Sequence, residues 1–265
     1  MVRGIFAGAL LVVLALGGNA FGQANYNSGG FEAPRFTPGP LEGQDPAQGP
    51  WQKTSSVAGT AVVQTATVQS GTQAVRLDRA GQDIRYSVLK PQANVAGLII
   101  VNWDMNVTQT TSPAVQFGPY FAVEAYDALD NAPLLAGSAG VDAKTGEVLY
   151  QAAGTGFITP TGATVPFGTW NSFRMELDYA TDRYSVFLNN APVVQNIGFV
   201  DPGINDFTDA DLSGLAAAGD AGSLAATGTA YYDNYRVIPE PATLGPLGLA
   251  LAGLALRRRE SRARG

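Results

Sequence analysis

Apolar and polar residues alternate through most of the middle of the chain, and no long stretch has the period of a helix. In Ile99–Val107 the odd positions are apolar, whereas positions 102, 104 and 106 are Asn, Asp and Asn. Phe173–Tyr179 repeats the pattern, with charged residues at its even positions. This alternation is typical of strands that bury one face.

Turn-forming residues separate the alternating segments at short intervals. The pattern therefore predicts an all-β body of about ten strands, arranged as a two-sheet antiparallel sandwich. The Gly- and Pro-rich stretch Asn27–Pro50 is expected to be an irregular loop that wraps one end. Besides Ile99–Val107 and Phe173–Tyr179, the predicted strands are Ala61–Gln69, Ala74–Leu77, Ile84–Leu89, Phe117–Tyr126, Glu147–Gln151, Arg183–Asn189, Val193–Val200 and Thr229–Val237.

The N-terminus has the features of a secretory signal, predicted over residues 1–24. Arg3 gives a positive start, Ile5–Leu16 is apolar, and small residues follow as cleavage positions. The apolar run is too short to cross about 30 Å of hydrocarbon as a helix rising about 1.5 Å per residue. A buried N-terminal helix is the alternative. We expect a signal helix at this end and the sandwich over residues 25–237.

The C-terminus, residues 238–265, combines three features in order. A Pro-flanked carboxylate, Pro239-Glu240-Pro241, precedes a short apolar segment, and a cluster of arginines follows it, namely Arg257, Arg258 and Arg259. The apolar segment is short for a permanent membrane span, and arginines favour the cytoplasmic side. This arrangement resembles the PEP-CTERM sorting tail of Gram-negative bacteria. The resemblance implies a hydrophobic helix, recognition by an exosortase and removal of the tail; an ordinary membrane anchor is the alternative.

Composition removes several kinds of chemistry. The 265 residues include no Cys and no His, which excludes Ser-His or Cys-His nucleophile pairs, disulfides, and thiolate or imidazole metal ligands. The net charge is −6, and because basic residues concentrate at the two ends, the body between them is still more acidic. Such a body disfavours nucleic-acid binding and would attract divalent cations or cationic surfaces.

Several segments together resemble the concanavalin A-like (laminin G-like) jelly roll and related carbohydrate-binding modules. They are Gly30-Phe31-Glu32, Trp51, Ser70–Leu77, Trp170–Asp178 with the hairpin that follows, and Ala230–Val237. The resemblance implies a jelly-roll sandwich. It also implies a structural calcium ion held by Glu32 and Asp233 with carbonyl oxygens, consistent with the oxygen ligands that calcium requires. The alternative is that Asp233 only fixes a strand end by local hydrogen bonds.

Two acidic patterns suggest further chemistry. Asp209-Ala-Asp211 imitates the start of an EF-hand loop within an acidic stretch that runs to Asp220, but no amphipathic helix precedes it, so a solvated loop is expected. Jelly-roll glycoside hydrolases carry Glu-x-Asp-x-x-Glu, and Glu176-x-Asp178-x-x-Thr181 lacks the third acid. We therefore expect no catalytic residues.

Sugar binding requires planar polar groups and an aromatic platform. If the strands Ile99–Val107 and Phe173–Tyr179 are neighbours, Asn102, Asp104, Arg174, Glu176 and Asp178 share one polar face. Stacking partners for this face could come from Trp51, Trp170, Tyr120 and Tyr126, although Trp103 and Trp170 suit the core better.

The sequence thus predicts an exported, non-catalytic protein that is transiently anchored in the membrane by its C-terminal helix. It would be displayed at the cell surface or in the extracellular matrix of a Gram-negative bacterium and bind polysaccharide weakly or serve adhesion. The alternatives are a purely structural extracellular component without a glycan ligand and, less favoured, a glycan-active jelly-roll enzyme.

Overall fold

A computed structural model describes residues 26–55, 58–111, 117–129, 133–156, 158–216 and 221–240. The signal segment, the hydrophobic tail segment and Pro241, Arg257, Arg258 and Arg259 lie outside the described residues. The described part is built almost entirely of strands in two antiparallel sheets, which confirms the predicted sandwich. It contains no helix that is both long and apolar enough to cross a membrane.

The strands follow one another along the chain in a single series. They are β1 (Tyr26–Asn27), β2 (Gly39–Pro40), β3 (Trp51–Lys53), β4 (Thr60–Gln64), β5 (Ala74–Ala80), β6 (Ile84–Val88), β7 (Leu98–Val107), β8 (Tyr120–Asp127), β9 (Leu134–Asp142), β10 (Glu147–Gln151), β11 (Ile158–Thr164), β12 (Asn171–Asp178), β13 (Arg183–Leu188), β14 (Ala191–Gly198), β15 (Asp209–Leu215) and β16 (Thr227–Pro239). A short helix, α1 (Ala221–Leu224), precedes β16.

Two sheets face each other across the core. Sheet A has nine strands in the order β14-β13-β12-β7-β16-β5-β4-β2, and β1 also pairs with β16. Sheet B has seven strands in the order β11-β10-β9-β8-β15-β6-β3. The last strand, β16, therefore lies at the centre of sheet A, beside β7.

The core is filled by the apolar positions that the alternation predicted. Trp103 of β7 and Phe173 of β12 lie directly across from each other, and their rings stack with centroids 5.3 Å apart. One end of the sandwich is closed by a cluster of aromatic rings from the Gly- and Pro-rich segment and its neighbours, namely Tyr26, Phe31, Phe36, Trp51 and Tyr235. This segment is not a loose loop, because its aromatic residues are part of the core.

Three of the longer strands of sheet B were not predicted. β9 and β15 are buried on both faces, and β9 is rich in Gly and Ala, so their sequences lack the alternation that marks a half-buried strand. β11 is short of large apolar residues. The expectation that Asp209 and Asp211 lie in a solvated loop is wrong, because both are buried residues of β15.

Candidate functional site

The predicted polar face exists on the outer side of sheet A. β7 lies between β12 and β16, and Asn102 of β7 pairs with Arg174 on one side and with Arg236 on the other. A groove of about 490 Å³ opens over these residues. Its polar lining comes from Asn27, Asn102, Asp104, Ser172, Arg174, Asn190, Asn234 and Arg236.

Hydrogen bonds fix the floor of this groove. The carboxylate of Asp104 is 9% exposed and accepts hydrogen bonds from the Ser172 hydroxyl and, at 2.7 Å, from the Asn234 side-chain amide. Three strands thus share one anchored polar row, because Ser172 lies on β12 and Asn234 on β16. A preorganised row of this kind can bind hydroxyl groups without first ordering its own side chains.

The two arginines of the groove differ in their surroundings. The guanidinium of Arg174 lies 4.0 Å from the centroid of the Phe187 ring, and its Nη1 is 3.1 Å from a carboxylate oxygen of Glu176. The Nε of Arg174 is buried without a hydrogen-bond partner. Arg236 is exposed and belongs to none of the salt bridges among the described residues. Because the side chain of Arg174 is 38% exposed, the groove has guanidinium groups open to a ligand at two points, Arg174 and Arg236.

The remaining predicted face residues lie outside the groove. Glu176 is opposite Ile100 and meets the groove only through Arg174, while Asp178 is opposite Leu98 at the strand end. The carboxylate of Asp178 accepts hydrogen bonds from the backbone amide of Ala180 at 3.0 Å and the hydroxyl of Thr181 at 2.8 Å, so it closes a turn.

The aromatic side chain at the surface of this groove, Phe187, is not one of the stacking partners proposed from the sequence. Trp51 and Tyr120 are fully buried, whereas Phe187 lines the groove. In β13 the core residues are Tyr184 and Val186, so the alternation leaves Phe187 on the outer face. An aromatic residue at an outward position was the signal that could have identified it.

The carboxylates of Glu32 and Asp233 both accept hydrogen bonds from the loop of residues 69–73, which brings them to the same place, as a shared site requires. Glu32 accepts hydrogen bonds from the backbone amides of Thr72 and Gln73 at 2.6 and 2.8 Å and from the Thr72 hydroxyl at 2.6 Å. Asp233 accepts backbone hydrogen bonds from Gln69 and Ser70, both at 3.1 Å.

The electrostatics of these two carboxyl groups differ. Burial raises the pKa of Asp233 to about 6, against backbone hydrogen bonds that lower it. For Glu32, slight desolvation raises the pKa, but the hydrogen bonds from Thr72 and Gln73 prevail and lower it below its usual value. Both carboxylates are therefore already bound by loop donors.

In this arrangement the carboxylates of Glu32 and Asp233 are both engaged by hydrogen-bond donors of the chain. All four carboxylate oxygens of Glu32 and Asp233 accept hydrogen bonds from the chain, one of them from the backbone amide of Asn234. Within the described ranges no three acidic residues are grouped as metal ligands. Calcium binding therefore stays a prediction from the resemblance.

A second polar site lies on sheet B, around the two aspartates that were expected in a solvated loop. Asp211 is directly opposite Glu124, and Asp209 is opposite Tyr126. Glu124 accepts a hydrogen bond from Nε of Arg85 at 2.7 Å. Burial raises the pKa of Asp211 well above its ordinary range, and the charge of Asp209 raises it further. A cavity of about 500 Å³ lies over this group.

The sorting signal begins inside the sandwich. Pro239 is the last residue of β16, where it pairs with Ile99, and the backbone amide of Glu240 donates to the carbonyl of Leu98 at 2.8 Å. β16 thus extends two residues beyond the boundary predicted for the domain.

Comparisons with known proteins agree with the tail and the fold. The family described as "PEP-CTERM protein-sorting motif" matches residues 237–259. No curated protein matches the chain at a significant level.

Solved structures share the sandwich. An alginate lyase in complex with alginate tetrasaccharide has a TM-score of 0.52 and 11% identity, covering 82% of this chain and 98% of its own. The cellulose-induced protein Cip1 has a TM-score of 0.50 and 14% identity, and the match covers 71% of this chain and 90% of the Cip1 chain. A sialidase has a TM-score of 0.50 and 9% identity. The match covers 71% of this chain but only 17% of the sialidase chain, so this chain spans a small part of that protein. Identities this low show the fold alone.

The tail and the fold together define the molecule. A PEP-CTERM motif identifies an exported, envelope-associated protein that an exosortase recognises. The chain carries a PEP-CTERM protein-sorting motif at residues 237–259, and its body is a two-sheet jelly-roll sandwich with the fold of these solved structures.

Proposed function

We propose that the protein is a non-catalytic surface or matrix component of a Gram-negative bacterium that binds extracellular polysaccharide in the groove over sheet A. The observation that carries this proposal is the row in which Asn102 lies between Arg174 and Arg236, beside the ring of Phe187. Planar donors and acceptors next to an aromatic ring match the hydroxyl groups and apolar faces of sugars.

The groove suits a weak binder. It holds about 490 Å³ and is open along the sheet face, so it could take a few sugar units of a chain rather than enclose one. The alginate complex of the similar lyase makes alginate a reasonable first probe, together with a neutral glucan.

The absence of catalysis is part of the proposal. The pair Glu176 and Asp178 has Thr181 in the place of the third acid, and the Thr181 hydroxyl is bound to Asp178. Glycoside hydrolysis requires a proton donor and a second carboxylate at a defined separation. A screen on β-glucans and alginate should find no cleavage; cleavage that Glu176→Gln abolishes would overturn this point.

Binding is tested by retention on immobilised alginate, xylan and β-glucan. We expect retention on at least one polymer, and a loss of about tenfold in affinity for Arg236→Gln combined with Asn102→Ala, since each removes hydrogen bonds to the ligand. Arg76→Gln is the matched control, because Arg76 lies on sheet A, outside the groove, paired with Asp78. No retention on any polymer would favour the purely structural alternative.

A further inference from the structure

Five residues that line the groove over sheet A form one line across five strands. Phe187 of β13 pairs with Arg174 of β12, Asn102 of β7 pairs with Arg174 and with Arg236 of β16, and Arg236 pairs with Asn27 of β1. Side chains opposite each other on neighbouring strands lie on the same face of the sheet. Because neighbouring strands lie about 4.8 Å apart, the line is about 19 Å long. A ligand that follows it is therefore an extended chain that crosses the strands.

The two arginines give this line a positive charge in an acidic protein. The charged residues of the groove lining are Arg174, Arg236 and Asp104, whereas the whole chain has a net charge of −6. The carboxylate of Asp104 is 9% exposed and is bound by Ser172 and Asn234, so its oxygens are already engaged by donors. An anionic ligand gains nothing from the net charge of the protein, so a preference for it must come from the two arginines.

Arg174 is held in position while its guanidinium stays open to a ligand. The guanidinium lies 4.0 Å from the centroid of the Phe187 ring, its Nη1 is 3.1 Å from Glu176, and the side chain is 38% exposed. An exposed salt bridge contributes little, and a guanidinium has several N–H donors, so Arg174 can bind a ligand anion beside Glu176. Arg236 is exposed and takes part in none of the salt bridges found in the described ranges. Both arginines can therefore donate to one ligand.

Guanidinium groups bind oxyanions such as carboxylates through parallel, charge-assisted hydrogen bonds, which are roughly twice as strong as neutral ones. The backbones of Arg174 and Arg236 are two strand spacings apart, about 10 Å, which is more than one sugar ring spans. We propose that the groove selects acidic polysaccharides, with a carboxylate or sulfate on their repeating units, and that Arg174 and Arg236 bind anionic groups on different units of one chain. This selectivity rests on the proposed function, since the ligand is the polysaccharide bound in that groove.

Calorimetry of the full-length protein at neutral pH tests this with matched polymers, namely alginate against its propylene glycol ester and dextran sulfate against dextran. We expect a charged polymer to bind at least about tenfold more tightly than its neutral counterpart, which cannot form the charge-assisted hydrogen bonds. A preference within the alginate pair alone assigns the site to carboxylates, one within the dextran pair alone assigns it to sulfates, and a preference within both pairs means that either anion suffices. Equal binding within both pairs would overturn the selectivity but leave polysaccharide binding in place, whereas no binding of any polymer would overturn both.

Variants of the two arginines separate the site from general effects of charge. Arg236→Gln should lower the affinity for the charged polymer by about fivefold and narrow its advantage over the neutral one, and adding Arg174→Gln should abolish that advantage. Arg236→Gln alone carries the test if the double variant does not fold, because Arg236 is exposed. Arg76→Gln is the control, since it removes the same charge from sheet A outside the groove. An advantage that Arg236→Gln leaves unchanged, or that Arg76→Gln lowers equally, would overturn the proposal.

Discussion

The backbone amide of Glu240 donates a hydrogen bond to the carbonyl oxygen of Leu98 at 2.8 Å. Pro239, one residue earlier, is paired with Ile99 in the central strands of sheet A. The sorting signal and the folded domain therefore share residues, and no linker separates the end of β16 from the start of the Pro-Glu-Pro sequence.

This overlap predicts where the chain can be shortened. A chain that ends after Glu240 keeps all of β16, so its melting temperature should match that of the full-length protein. A chain that ends after Asn234 loses Tyr235 and Val237, which are 0% and 1% exposed, and should lose more than about 4 kcal/mol of unfolding free energy. Circular dichroism melts of both chains test this; equal melting temperatures would contradict it.

The strands that alternate clearly in sequence were predicted, and the reason is physical. In β7 and β12 one face of the strand packs on the core and the other faces outward, so the polarity of each residue indicates which face of the sheet it lies on. The placement of Asn102, Asp104 and Arg174 on one face followed directly from this. The sequence of β9 does not alternate in polarity, because both of its faces are buried and most of its residues are small.

Arg236 was missed for a different reason. The pairing of β16 with β7 shifts register between Asp233 and Arg236, and Asn234 has φ 51° there. A bulge of this kind changes which residues face outward, so simple alternation does not place Arg236 over the groove. The acidic pair of β15 was missed because its local sequence imitates a metal-binding loop, and only the packing of sheet B shows that it is buried.

The buried carboxyl groups predict how stability depends on pH. A carboxyl group whose pKa is raised by folding costs stability above its unfolded pKa, because the unfolded chain releases the proton first. Asp233, raised from 3.8 to about 6, and the Asp209–Asp211 pair both act in this direction. The free energy of unfolding should therefore fall as pH rises from about 4 to about 7.

Asp211→Asn should make this pH dependence shallower. Its amide oxygen can still accept from Thr54 while its nitrogen donates to Asp209, so we expect a gain of about 1 kcal/mol or more at pH 7 and little change at pH 4. Urea denaturation at the two pH values measures it, with Asp182→Asn as the control, because Asp182 lies in an exposed turn at φ 53°, a conformation that Asn tolerates. A variant that is less stable than the wild type at both pH values would contradict the expectation.

Calcium addition distinguishes the two accounts of the Glu32–Asp233 loop. If loop amides bind the carboxylates as described, calcium leaves the melting temperature unchanged. Asp233→Ala should then cost about 2–4 kcal/mol with or without calcium, because it removes a buried acceptor of two long-range hydrogen bonds. A calcium-dependent rise in melting temperature that Asp233→Ala abolishes would instead establish the ion that the resemblance predicts.

Gly140 of β9 gives the most direct test of how closely the strands of sheet B pack. A Cβ atom at this position would lie 1.9 Å from the carbonyl oxygen of Phe121, which belongs to the backbone of β8 and has little freedom to move away. Gly140→Ala should therefore force β8 and β9 apart and cost about 3 kcal/mol or more. Gly198→Ala is the matched control, because its Cβ would lie 3.3 Å from the Cβ of Ala153 and its backbone is also that of a strand. Urea denaturation should show a large loss of stability for Gly140→Ala and a change within about 1 kcal/mol for Gly198→Ala. Similar losses for both variants would mean that the close approach of β8 does not explain the small residues of β9.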